Sequence, residues 1–184
     1  YDSNATTQTA TDLNSRVIST LQSYNTTNLN TFNAPFRHSQ LAGDIDGTDT
    51  SILMSTTTVT MAKLFTPTTT GSTSYTINFN NAFYHPVDGY QNTIIASTGF
   101  YINGGTTEYF FDDDGSGNLR IYSIAIGVKT YYSVTAGTID YVNGLVTING
   151  VLISATSNID GSASTQIRIT ALSDSNDVIP VRNQ

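Results

Sequence analysis

Gly137-Thr-Ile-Asp140-Tyr-Val-Asn143-Gly144-Leu-Val-Thr-Ile148-Asn149-Gly150-Val-Leu-Ile-Ser-Ala155 is the stretch whose reading decides the fold class. Two Asn-Gly dipeptides separate short runs of β-branched and aromatic residues at 137–142, 145–148 and 151–155. Asn-Gly suits a two-residue hairpin turn, in which both central residues need positive φ. Residues 139–153 are therefore predicted to form a tight antiparallel meander. Downstream, 165–172 alternates so that Ile167 and Ile169 share one face of a late strand. Upstream, the runs 56–65, 74–83 and 93–102 are rich in Thr, Ile and aromatics, and Pro67, Gly71, Pro86 and Gly89 punctuate them. Asn103-Gly-Gly105 leads into a strand at 106–112, and Asp114-Gly-Ser-Gly117 into one at 118–126.

The texture before residue 56 differs. Leu13, Val17, Leu21 and Tyr24 recur every three or four residues, which predicts a helix over 12–32 with Asp12 as its N-cap. Asn25-Thr-Thr-Asn28 should disturb it, because these are weak helix formers. Phe36, Leu41 and Ile45 predict a second short helix ending near Gly43 or in the 44–49 turn, and Ser51-Ile-Leu53 a brief helical turn. The expected fold class is α+β, β-dominated: a short N-terminal helical segment followed by antiparallel hairpins and meander sheets. The expected division is 1–55 helical and 56–184 β-rich, with a sub-boundary near 85–92.

Composition supports this. Of 184 residues only 11% are charged, and Thr, Ser and Asn fill the gap. Such side chains suit strands and turns better than helix interiors. Eleven Tyr and eight Phe argue for a packed core rather than disorder. A net charge of −7 disfavours nucleic acid and anionic membranes as partners. No apolar run reaches the ~20 residues of a membrane span, and no signal peptide is expected. Starting at Tyr1 and stopping soon after Ile179, the chain reads as a piece of a longer protein.

Candidate chemistry is sparse. Asp112, Asp114 and Ser116, with Gly117 following, resemble the start of a calcium loop. Its twelfth position is Ser123 where a bidentate Glu is needed, so a polar hairpin turn is the favoured reading and no metal or other cofactor is expected. With no Cys, a single Glu (Glu108) and two distant histidines (His38 and His85), neither a nucleophilic triad nor a carboxylate pair has support. Asp44, Asp46 and Asp49 have the spacing of turn chemistry. The chain is not expected to be an enzyme. Tyr131, Tyr132, Tyr141, Phe110 and Phe111 could stack on carbohydrate, but core and cross-strand packing is the commoner role.

Two stretches carry a family resemblance. One is Tyr24-Asn-Thr-Thr-Asn-Leu29-Asn-Thr-Phe32-Asn-Ala-Pro-Phe36-Arg37, continuing through Leu41, Ile45-Asp46 and Asp49-Thr-Ser51-Ile52. The other is Tyr109-Phe-Phe-Asp-Asp-Asp-Gly-Ser-Gly-Asn118-Leu-Arg120-Ile-Tyr122, with Gly137-Thr-Ile-Asp140-Tyr141, Gly144, Ile167-Arg168 and the closing run from Ser175 through Pro180 to Gln184. In order, from about 20 to 184, the sequence resembles the large baseplate wedge subunit, or baseplate J-like protein, of T-even-type contractile-tailed phages. That resemblance implies a virion protein of the tail baseplate, with two copies per wedge joined into a ring around the hub. It also implies tethering of other wedge proteins, contacts that change when the sheath contracts, and no catalytic residues. Family members are longer than this chain. The expected partners are a second copy, as a homodimer, and other wedge proteins.

Arg37 and Arg182 are the candidate interface residues. The bland alternative for each is a local ion pair, with Asp44 or Asp177. The competing function is a glycan- or surface-binding module of a tail fibre or adhesin, which should display an exposed row of Tyr or Phe.

Overall fold

The structure, a computed structural model, describes residues 1–31 and 34–179. Two compact units emerge, one formed by Tyr1–Val59 with the described residues from Asn176 on, the other by Thr60–Ser175.

In the first unit, α1 (Ala10–Tyr24) begins one turn earlier than its periodicity suggests. Thr9 is the N-cap, not Asp12: its hydroxyl accepts the Asp12 N–H at 3.2 Å while the Asp12 carboxylate accepts the Thr9 N–H. Asp12 thus completes a reciprocal capping box from the third helical position. The disturbance falls where the weak helix formers lie, as a π-helical turn over Asn25–Leu29. There the Asn30 N–H reaches the Asn25 carbonyl and the Thr26 hydroxyl bonds back to Gln22, which satisfies the local backbone without an α-turn. α2 (His38–Asp46) follows. The Tyr24 hydroxyl donates to the Arg37 carbonyl and accepts the Arg37 N–H, both at 3.1 Å, so it pins the start of α2 to the end of α1. The expected helical turn at 51–53 is instead a hydrogen-bonded turn over 49–52: the Ile52 N–H donates to the Asp49 carbonyl, the Asp49 carboxylate accepts the Ser51 N–H, and Leu53 stays exposed. Val178 pairs with Phe36, returning the chain to this unit.

The second unit is a ten-stranded antiparallel sheet. Its strands are β1 (Thr60–Phe65), β2 (Thr73–Asn78), β3 (Ile95–Ser97), β4 (Phe100–Ile102), β5 (Glu108–Asp113), β6 (Asn118–Ala125), β7 (Val128–Asp140), β8 (Leu145–Val151), β9 (Ile153–Thr156) and β10 (Ile167–Leu172). The order is β1-β10-β3-β5-β6-β7-β8-β2, with β4 bridging β5 and β9. The terminal strands come together without a ladder. Phe65 packs on Tyr75 at 4.9 Å between ring centroids, and the Tyr75 hydroxyl accepts the Thr68 N–H, so the sheet is nearly closed. Phe100, Phe111, Leu119, Ile121, Val146, Ile148, Ile167 and Ile169 fill the interior. This β-dominated unit after a short helical segment is the expected fold class.

Four local expectations need correction. Asn143-Gly144 does close a hairpin, but through a longer loop, with Asp140 paired to Leu145 and only Gly144 of the dipeptide at positive φ. Asn149-Gly150 turns nothing. Both residues lie inside β8, where the register against β2 slips between Thr73 and Tyr75, so the dipeptide forms a bulge. The true meander is β5-β6-β7-β8, because β9 leaves to pair with β4. Finally, the strand expected over 93–102 breaks at Thr98-Gly99. A Cβ on Gly99 would collide with the Glu108 carboxylate and the Ser157 hydroxyl, so glycine permits the close approach that lets the chain switch partners.

Candidate functional site

The densest chemistry in the β unit lies where β5, β6 and β7 run side by side. Strand alternation sends Phe111, Leu119 and Ile121 inward and puts Phe110, Asp112, Arg120, Tyr122, Lys129 and Tyr131 on the outer face. Asp112 pairs across to Arg120 and Phe110 to Tyr122, and Tyr122 pairs in turn with Tyr131. On this face Asp112 is 0% exposed because two cations cover it. Arg120 grips both its oxygens, at 2.9 and 3.0 Å, and the Lys129 ammonium reaches Oδ2 at 2.6 Å. Arg120 also donates to the Asp113 carbonyl.

The cations are held from the side by rings. Lys129 Nζ sits 3.8 Å from the Tyr122 centroid, and the Arg120 guanidinium lies 4.6 Å from that of Tyr131. Burial acts to lower the Lys129 and Arg120 pKa values, but the hydrogen bonds and charge of Asp112 outweigh it and both end raised. The result is a braced patch in which one carboxylate is bonded to two cations, each against an aromatic face.

Asp113 points the other way, into the core. One oxygen accepts the N–H groups of Ile94 and Ile95, at 2.7 and 2.9 Å, and the other accepts the Tyr141 hydroxyl at 3.1 Å. Burial, then the Asp113 charge, holds the Tyr141 hydroxyl well above the usual tyrosine range. His85 stacks flat on the Tyr141 ring at 3.9 Å, and its Nε2 lies 2.8 Å from the Gly115 carbonyl oxygen. The arrangement ties the 84–94 loop, the β5–β6 turn and the end of β7 together. It has the chemistry of a structural lock.

Asp114 closes the β5–β6 turn, accepting the N–H groups of Ser116 and Asn118 and the Asn118 side-chain amide. Burial pushes its pKa up, but those hydrogen bonds and Arg120 together bring it below the ordinary carboxylate value. A depressed folded-state pKa means a contribution that is complete above the unfolded value near ~3.9 and is lost as pH falls through the folded one. A titration of Asp114 followed by carboxyl NMR is therefore expected to show its midpoint below ~3.9, with the turn loosening only in that acid range. A midpoint above it would contradict this geometry.

The comparison with known proteins bears on the other unit. Residues 1–64 match the family model described as Baseplate structural protein gp6, C-terminal domain III. A structural role in a phage baseplate follows, and with it a place in the virion tail. The match covers the helical segment and runs into β1. No curated protein matches the chain.

Asp112, Asp114 and Ser116 do not converge: Asp112 faces Arg120 and Lys129, while Asp114 caps the turn. Among the described residues no group of three or more His, Asp or Glu side chains is placed to hold a metal ion. His38 opens α2 with its imidazole against the Thr57 hydroxyl, far along the chain from His85. Arg37 is exposed, and among the described residues no ion pair joins it to Asp44. Asp177 accepts the His38 N–H at 2.8 Å. Arg182 lies outside the described residues.

The aromatic expectation divides. Phe111 and Tyr141 are core and Phe110 and Tyr131 belong to the outer face, whereas Tyr132, though exposed, packs edge-on against Tyr109 at 5.2 Å between ring centroids. Sequence reasoning missed Arg120 and Lys129. The register that opposes Asp112 to Arg120 would have revealed the first, and the long β7 strand the second.

Proposed function

We propose that the chain is part of a wedge subunit of a T-even-type contractile tail baseplate, with the helical and β units as its two domains. In this reading its copies pair and join into the inner ring around the hub, and the ring tethers the other wedge proteins. The family match over residues 1–64 carries the proposal. The ordered resemblance through the β5–β6 region and the closing run supports extending it across the whole chain. Arg37, exposed at the start of α2, is the proposed contact residue on the helical unit, and Arg182 its counterpart in the closing run. The role is scaffolding, without catalysis.

The aromatic outer face does not favour a glycan-binding reading. Lys129 and Arg120 already occupy faces of Tyr122 and Tyr131, so these rings are not bare platforms for a sugar. The decisive experiment is electron microscopy of the full-length protein mixed with purified wedge proteins. Incorporation into a wedge, with the helical unit at a contact between copies, is expected. A full-length protein that stays out of the complex would end this reading.

A further inference from the structure

Three Asn-Gly dipeptides occur in the sequence, at 103–104, 143–144 and 149–150. Asparagine is most open to deamidation in this setting, because glycine leaves the following backbone nitrogen unshielded and the chain there freest to rotate. That nitrogen attacks the side-chain carbonyl carbon. The N–Cγ bond forms, the Cγ–Nδ2 bond breaks, and the side-chain nitrogen leaves as ammonia. Water then opens the five-membered imide at either carbonyl, giving aspartate or isoaspartate with no oxidation or reduction. Local sequence rates the three sites alike. Their surroundings in the fold do not.

Two of them are held. Asn103 and Gly104 have φ of +54° and +72°, in a turn closed by the Gly105 N–H on the Ile102 carbonyl. The Asn103 N–H donates to the Leu152 carbonyl, and the Gly104 N–H, whose nitrogen would be the nucleophile, donates to the Ser154 hydroxyl at 2.8 Å. At 143–144 the Asp140 carboxylate accepts the Asn143 N–H at 2.9 Å and its side-chain amide at 2.7 Å. Gly144 is buried there against the backbone of Asn81.

Asn149-Gly150 has none of these restraints. Both residues are exposed, and the Asn149 side chain makes no hydrogen bond to a described residue. They form the bulge of β8, between Ile148, which pairs with Tyr75, and Val151, which pairs with Thr73, and neither has a register partner in β2. On the other side β7 accompanies β8 only as far as Ile148. A cleft of roughly 330 Å³ opens where the strands part, lined in part by Ser72, Ser133, Thr135, Asn149 and Gly150. Ring closure there needs a local backbone rotation in a segment outside the strand register, and water has access to the product.

We propose that Asn149 is a spontaneous modification site, deamidating through an imide with the Gly150 nitrogen while the fold protects Asn103 and Asn143. Neither β2 nor β8 carries a charged residue, so the reaction places the first carboxylate on that strand pair. Isoaspartate also lengthens the backbone by one carbon. A bulge absorbs this more readily than a regular ladder, because its register is already broken. The inference stands apart from the baseplate reading.

The test holds the purified full-length protein in mildly alkaline buffer, folded and in concentrated urea. Peptide mapping by mass spectrometry follows, with electron-transfer fragmentation to separate isoaspartate from aspartate. In the folded protein the Asn149 peptide is expected to gain one dalton about tenfold faster than the other two, which must first give up hydrogen bonds or a fixed turn. Its product should contain both isomers. In urea the three sites should convert at similar rates.

Earlier conversion of Asn103 or Asn143 in the folded protein would overturn the proposal, as would equal protection of Asn149. Aspartate alone would indicate direct hydrolysis without the ring, and a preference for Asn149 that persists in urea would belong to local sequence rather than to the fold. Either result would also overturn it. Asn149→Asp, the product of the aspartate branch, should keep the thermal midpoint of the β unit within about 2 °C of wild type. A larger fall would show that the fold engages the amide, contrary to the open bulge on which the proposal stands.

Discussion

Asp113→Ala is expected to destabilise the β unit by about 3–5 kcal/mol, enough to unfold a domain of ordinary stability at modest urea. The carboxylate is 2% exposed and receives three hydrogen bonds, from the N–H groups of Ile94 and Ile95 and from the Tyr141 hydroxyl. Alanine leaves all three buried donors without their acceptor, and each orphaned group costs about 1–3 kcal/mol. Asp113→Asn gives the contrast. An amide oxygen can still accept the two backbone N–H groups, and the Tyr141 hydroxyl can turn to accept from the amide nitrogen. A loss of about 1–2 kcal/mol is then expected. Urea unfolding of both variants followed by tyrosine fluorescence checks the prediction. Equal losses would show that volume, not hydrogen bonding, dominates the site.

Gly144→Ala should cost on the order of 3 kcal/mol or more. The loop between β7 and β8 lies directly on the chain at 79–83, where the Phe79 N–H donates to the Gly144 carbonyl and the Phe83 N–H to that of Tyr141. A Cβ on Gly144 would lie 2.8 Å from the Asn81 carbonyl carbon and closer still to its oxygen, and φ is +64°. Backbone cannot move aside as the end of a flexible side chain can, so the strand end or the loop must shift. Gly127→Ala isolates the conformational part. Gly127 has φ of +75° but nothing within 4 Å of a Cβ, so alanine there should cost only about 1 kcal/mol. Thermal midpoints for the two variants should differ accordingly, and similar midpoints would remove the argument from close approach.

These two sites show how unevenly the fold could be read. The hairpin at Asn143-Gly144 was legible because the local conformational demand coincides with a real reversal of the chain. Asn149-Gly150 carries the same local signal and yields a bulge, because β8 must stay beside β2 while the pairing register slips. Periodicity placed both helices and the break between them. It misjudged the N-cap, since Thr9 and Asp12 each satisfy the other and either could be taken as the first residue.

The first half of β7 escaped notice for a different reason. Residues 128–132 are all exposed and the strand is bulged, so neither a buried run nor a clean alternation marks it. The Asp112 patch was hidden too. Asp112, Arg120 and Lys129 are separated in sequence, and only cross-strand register brings them together.

From the sequence alone came the β-dominated class and the helical opening. These rest on composition, periodicity and short motifs, which act through local backbone preference and apply wherever the segment sits. The tertiary structure alone decided which Asn-Gly turns the chain, where β4 and β9 leave the main order, and why one aspartate of a consecutive trio faces two cations while its neighbour enters the core. Each of these depends on which strand lies alongside, a pairing between residues distant in sequence that no local preference encodes.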